Sequence, residues 1–442
     1  MTQPRQFPAA PLRLDDPHAF SDPASLWDRL LAEYPRGLAP VYLEEGVSGW
    51  LMLTPEVHRT VLNTPDVFAG EVRHWRDFNN GRIPATSPLR AIYTPRRNIW
   101  SVDGPEHERY RRALVASLTT MSERYVVGEI GAVADRIVDS FCADGAVDLV
   151  ARYSGILPLL VLCRLFGMEE DEGLAVCTAM QRVWNYDEDA AHAHAQVQRY
   201  MDDLIARRRE RAGQDLVSAL IGHGLDDEEV RDNLTFLIAA AHEPVAQAIA
   251  QTIRLLLVRR NRYLQINSVR TIRETINASL WEAPPLHTLI GRFTTREVEL
   301  GGFRLAAGDC LVLGFGPAQH AMRRDPRLDL ETNRSYLIFG LGEHGCPERG
   351  RDLALTMAEK AVQRLDQRLP DMALADDTAD DAPAAVIAGV HSLRVRYTPA
   401  DPLQQGALWK PQSASTPTTS TATPPHGRST LLGRLFGWIW RD

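Results

Sequence analysis

With 442 residues, 44% of them apolar and 24% charged, the chain is long enough for a sizeable core and has the composition of an ordinary soluble globular protein. A formal net charge of −8 argues against nucleic acid as its partner. The five cysteines (Cys142, Cys163, Cys177, Cys310 and Cys346) are scattered, odd in number and without a C-x-x-C pair, which suggests neither a disulfide framework nor a zinc site and fits a reducing cytoplasm.

In chain order, residues 1–23 read as an N-terminal extension rich in proline and charge, without a basic n-region followed by an apolar h-region. No apolar run reaches the ~18 residues of a spanning helix, so the chain is expected not to cross a membrane. Residues 24–402 read as one mainly helical body without internal repeats. Apolar residues at helical spacing predict helices over Leu26–Tyr34, His107–Leu118, Ser122–Phe141, Leu157–Phe166, Ala190–Arg211, Asp226–Arg260 and Leu353–Leu369. Short strands are predicted at Val41–Leu43, Trp50–Leu53, Glu297–Leu300, Cys310–Leu313 and Leu393–Tyr397. Residues 403–430 are dominated by a Ser/Thr/Pro/Ala stretch and are expected to be a disordered linker. In residues 431–442, Leu431, Leu432, Leu435, Phe436, Ile439 and Trp440 recur at i, i+4 and i+8 as a short amphipathic tail. A helix so short needs a surface to be stable: a protein partner, which is expected first, the protein's own body, or an anionic membrane interface.

The run Phe339-Gly340-Leu341-Gly342-Glu343-His344-Gly345-Cys346 carries the most chemistry. Its glycines allow turns with φ > 0 and close approach of backbone to a large flat ligand. A helix beginning near Arg349 favours ionised sulfur at Cys346. The run closely resembles the haem-binding loop of the cytochrome P-450 superfamily, and the resemblance implies the fold of that family, mainly α with small β-sheets. It also implies haem b as cofactor, with Cys346 as the axial thiolate and the metal ligand.

Further segments fit that resemblance. His107 and Arg111, at i and i+4 after the Gly104-Pro105 turn, share a helix face and are similar to the family's propionate donors, as are Arg292 and His344. Haem carries two carboxylates, so separated cationic donors make chemical sense. Ala240-Ala241-His242-Glu243-Pro244 resembles the distal stretch of the family's long central helix, with Pro244 where a threonine is usual. Pro244 deletes the N–H that would bond the Ala240 carbonyl, so a kink is expected. Glu243 is left as the proton-relay candidate, or as a solvated helix carboxylate. The family's Glu-x-x-Arg position reads Asn277-Ala278-Ser279-Leu280. With His-Glu-Pro and Cys346-Pro347, this is similar to an actinobacterial subset of the family. The resemblance places Glu71–Trp100 over the haem, with Trp75, Phe78, Tyr93 and Trp100 as candidate walls or as core packing, and Gln181–His194, Leu286–Ile290 and Ala388–Ser392 completing a pocket.

The activity implied is monooxygenation, or oxidative coupling, of a small organic molecule in secondary metabolism, with O2 and electrons from a ferredoxin and reductase, in the cytoplasm. Two alternatives stay open: a haem-binding regulatory or scaffold protein with little turnover, and a haem-thiolate enzyme driven by peroxide.

Overall fold

The largest sheet draws strands from distant parts of the sequence. The computed structural model describes residues 11–85, 87–184, 190–260, 269–375, 380–382 and 384–403. The expected linker and tail therefore lie outside the described residues from 404 onward. The sheet runs in the order Leu12–Arg13, Leu38–Glu44, Val47–Met52, Cys310–Gly314, Thr288–Thr294, Phe68–Ala69. The central strand Cys310–Gly314 is buried along its whole length. It pairs parallel to Val47–Met52 and antiparallel to Thr288–Thr294. Strand 288–294 has only one polar side chain besides its terminal threonines, Arg292, and a bulge between Ile290 and Arg292 re-aims that residue. Smaller sheets pair Ala146–Asp148 with Arg394–Arg396 and Val298–Leu300 with Phe303–Leu305.

Helices make up most of the rest. The expected helices appear with modest boundary changes, for example as Gly104–Thr120, Glu123–Asp139 and Glu348–Arg368. Helices Glu170–Trp184 and Val269–Glu282 were not expected; charged and polar residues interrupt the apolar period in both. Helices 123–139, 243–260, 269–282 and 348–368 share one apolar core, and helices 104–120, 157–166, 190–210 and 227–241 share a second. No described helix is long and apolar enough to cross a membrane.

The expected long helix is broken. Its first half, Asp227–Ala241, starts on a capping box in which the Asp226 carboxylate accepts the Glu229 N–H and Glu229 accepts the Asp226 N–H. Its second half runs Glu243–Arg260. His242 stands at the break, and the ladder resumes with Ala246 N–H donating to its carbonyl at 2.9 Å. Pro244 has no N–H for the Ala240 carbonyl, which accounts for the interruption.

Candidate active site

The break faces a cavity that encloses, out to its open mouth, about 2380 Å³ of empty space. Ala240, Pro244 and Ala248 line it from the broken helix, Trp100 from the segment before helix 104–120, and Leu289 from strand 288–294. Trp100 and Phe236 form a nearly parallel aromatic wall, with ring centroids 6.1 Å apart. Across a lining that is mostly apolar, the cationic and imidazole groups His107, Arg111, Arg292 and His344 gather with Cys346.

The loop 339–346 holds Cys346 by backbone geometry. The Cys346 N–H donates to the Phe339 carbonyl at 2.7 Å, and the Gly345 N–H to Gly342 at 3.1 Å. Gly340 and Gly342 both have φ of +69°. A Cβ on Gly342 would also lie 2.2 Å from the Leu62 carbonyl, so conformation and packing both demand glycine there. Helix 348–368 follows directly. The Cys346 side chain is accessible, yet the protein around it desolvates the thiol and raises its pKa, against the pull of Arg111 and Arg351.

Arg111 donates to the Gly345 carbonyl at 2.7 Å, tying helix 104–120 to this loop. His107 and His344 stack with centroids 4.0 Å apart. Burial, then the neighbouring His344 and Arg111, push His107 down to about 4. Its Nε2 is buried without a hydrogen-bond partner. Arg292 is 4% exposed; burial pushes it down to about 10 despite Asp103 and Glu343 nearby, and its guanidinium donates to the adjacent Gly291 carbonyl.

Asp103 was not anticipated. It occupies the N-cap position of helix 104–120, but its carboxylate makes no capping bond. It accepts the Gly70 and Glu71 N–H groups, both at 2.9 Å, and His344 Nε2 at 2.8 Å. Burial would raise the Asp103 carboxyl, but these hydrogen bonds, that of His344 first, hold it below its usual value. The aspartate thus orients the His344 ring, a role that an Asp-Gly-Pro helix start conceals.

Other expectations need correction. Ala240 and Pro244 line the cavity, but Glu243 does not. Its carboxylate accepts from Gln247 at 3.2 Å and lies 3.7 Å from the His242 imidazole. His242 in turn bonds the Gly155 carbonyl at 2.8 Å. Glu243 opens the second half of the broken helix, and its side chain is turned toward Gln247 and His242 rather than into the cavity. Trp75 and Phe78 are also off the cavity: Trp75 stacks on Phe293 at 5.3 Å and on Phe78 at 6.1 Å in the core below. Tyr93 and Trp100 do line it, as do Leu286 and Leu289. Near the C-terminal hairpin the contributor is Ile387 rather than residues 388–392. Of the expected segment 181–194, residues 185–189 lie outside the described residues.

At the Asn277 position the side chain is buried. Its Nδ2 donates to the carbonyls of Leu330 at 2.7 Å and Glu331 at 3.0 Å, and its Oδ1 accepts the Tyr336 hydroxyl. Trp281 Nε1 donates to Asn333 at 3.1 Å. Tyr336 packs on Phe339, the first residue of the cysteine loop, at 6.2 Å.

Comparison with known proteins bears on this arrangement. No family model matches the chain. The mycinamicin IV hydroxylase/epoxidase of Micromonospora griseorubida is 30% identical over 356 residues, 76% of this chain and 85% of that protein. The chain belongs to the cytochrome P450 family. The P450 monooxygenase PikC of Streptomyces venezuelae is 28% identical over 399 residues, 85% of this chain and 91% of PikC. Among solved structures, testosterone-bound CYP154C4 from Streptomyces sp. ATCC 11861 superposes with a TM-score of 0.76 at 26% identity, covering 89% of this chain and 99% of that one. The protein is therefore a P450-type monooxygenase with the P450 fold, and the family implies haem. The residues fit that group: an unpartnered buried imidazole nitrogen at His107, a buried guanidinium at Arg292 with no carboxylate bonded to it, and an accessible sulfur at Cys346 share one apolar cavity.

Proposed function

We propose that this P450 inserts oxygen into a bulky, largely apolar small molecule of secondary metabolism, using haem b and electrons from a ferredoxin and its reductase in the cytoplasm. The observation that carries the reading is the single cavity in which Cys346 and four carboxylate-seeking side chains face an apolar wall of Trp100, Phe236 and Leu289. In this reading residues 24–402 form the haem domain, with 403–430 and 431–442 as linker and partner-binding tail. When bound, the thiolate-ligated haem supplies activation of dioxygen.

The protein's own residues do the rest. Cys346 gives its sulfur to the iron, and Gly340, Gly342 and the Phe339 carbonyl fix where that sulfur stands. Arg111 and Arg292 would neutralise the two carboxylates of the cofactor through charge-assisted hydrogen bonds, and the imidazoles of His107 and His344 would add N–H donors. Asp103 keeps His344 turned for the task. Ala240 and Pro244 cover the substrate side, where the Ala240 carbonyl, which Pro244 has no N–H to serve, can accept from water. The aromatic wall and aliphatic lining exclude water and select an apolar ligand.

One observation favours peroxide as oxidant. Among the described residues that line the cavity none is a carboxylate, and Glu243 is spent on Gln247. A carboxylate proton source is thus missing among the described lining residues, whereas hydrogen peroxide brings its own protons.

The test is the reduced, carbon-monoxide-bound absorption spectrum, followed by turnover with a reductase system and with peroxide. Wild type should show the red-shifted thiolate band, and Cys346→Ala should lose it; retention of the band in that variant sinks the assignment. Product formed with peroxide but not with reductase would replace the ferredoxin reading. Pro244→Thr should improve the coupling of electrons to product, and worse coupling would count against the helix-break account.

A further inference from the structure

One wall of the cavity, residues 94–103, contains neither helix nor strand and brings Asn98, Ile99 and Trp100 to the lining. Its tertiary hydrogen bonds at Arg97 and Ile99 end on the first two turns of helix 227–241. The Arg97 guanidinium reaches three carboxylates, Asp226 at 2.7 Å, Glu228 at 3.3 Å, and Glu229. The Arg97 N–H donates to Asp232 at 2.9 Å, and the Ile99 N–H to Asn233 at 3.0 Å. Asn233 returns a bond to the Arg97 carbonyl at 3.3 Å. Asn98 organises the tip by accepting the Trp100 and Ser101 N–H groups, both at 3.0 Å. Residues 96–101 can therefore move as one piece if this anchor lets go, while Asp103 stays held by Gly70, Glu71 and His344. The anchor lies at the rim: the Arg97 side chain is 42% exposed, although its partner Glu229 is 3% exposed.

We propose that Arg97 is the positioning residue that latches residues 96–101 over the cavity, and that substrate enters when this latch opens. The inference rests on the cavity being the substrate site. A half-exposed guanidinium against carboxylates is screened by salt, so opening is faster at high ionic strength. Trp100 travels with the latch, which places the aromatic wall and the entrance under one control.

The test uses the protein as purified, compared with Arg97→Ala and Arg97→Lys. Hydrogen exchange is read at residues 96–101 and at 337–346, at low salt and in about 1 M NaCl. Loss of the charged hydrogen bonds in Arg97→Ala should speed exchange at 96–101 by about tenfold and leave 337–346 unchanged. Arg97→Lys should fall between, and salt should speed the wild type at 96–101 alone. In parallel, 4-phenylimidazole binding is followed by haem absorption in a stopped-flow instrument. Its association and dissociation rates should rise together in Arg97→Ala, with little change in Kd. Unchanged exchange at 96–101, exchange raised equally throughout both variants, or faster exchange with unchanged azole rates each overturns the proposal. A protein without the haem spectrum would sink the cofactor reading, while the exchange contrast would still report on the latch.

Discussion

Behind the cysteine loop, the Asn277 amide, the Tyr336 hydroxyl and the Trp281 indole hold segment 330–336 through neutral hydrogen bonds. At the mouth side, Glu229 accepts from Arg97, Arg109 and Tyr110, joining segment 94–103, helix 104–120 and helix 227–241 through charge. Within that segment the cation Arg334 donates to the carbonyls of Glu331 and Asn333. A neutral buried network avoids the desolvation penalty of an ion pair but fails abruptly when one member leaves. The ionic network is half-wet on its arginine side, so it yields to salt and acid. The part of the molecule that must keep a sulfur in place is thus the insensitive one, and the part that admits ligand is the responsive one.

The comparison is broken most directly at Asn277. Asn277→Leu strands the Tyr336 hydroxyl and two backbone carbonyls, and should cost about 3 kcal/mol of stability, read as a lower denaturant midpoint together with loss of the thiolate spectrum. A variant of wild-type midpoint and spectrum would show that the network is dispensable. Glu229→Gln keeps the shape but removes the charge that two guanidinium groups face; because both arginines are about 40% exposed, the cost should be smaller, about 1–2 kcal/mol. Its thiolate spectrum should be unaffected.

Acid sharpens the contrast. The hydrogen bond from Arg109, opposed by burial and helped by the Asp226 N–H and Tyr110, holds Glu229 down to about 2 against an ordinary 4.5. A depressed folded pKa stabilises above the unfolded value and is lost as pH falls from about 4.5 toward 2. Wild type should therefore lose midpoint across that interval more steeply than Glu229→Gln. The Asn277→Leu deficit should stay constant there, since burial pushes Tyr336 up to about 12. The smallest effect is salt: with the Debye length cut from about 10 Å to about 3 Å at 1 M, the gap between wild type and Glu229→Gln should narrow while the Asn277→Leu gap persists.

Much of the site was legible because its chemistry is local in sequence. The glycine spacing before Cys346, the i, i+4 pair His107 and Arg111, and the proline in the central helix each state their geometry within a few residues. What was missed depends on long-range placement. Asp103 looks like a helix cap until Gly70, Glu71 and His344 are seen converging on it. Glu243 was drawn toward the cavity by analogy, and the break at His242, which leaves its carboxylate with Gln247 and the His242 ring, is not written in the local spacing. Trp75 and Phe78 could not be told from cavity walls, because core packing and ligand contact call for the same aromatic surface. Strand 288–294 escaped notice because burial on both faces removes the alternation that marks a strand.

The pairing of Ala146–Asp148 with Arg394–Arg396 sets a timetable for synthesis. Tyr153, Phe141 and Leu149 belong to the same core cluster as Val395 and Tyr397, yet on the order of 10–50 s of translation separates them at typical rates. Throughout that interval the nascent chain carries an uncovered apolar face and an unpaired strand edge. Closure comes only after Cys346 and its loop have been made, so the cofactor seat is complete before the core is sealed.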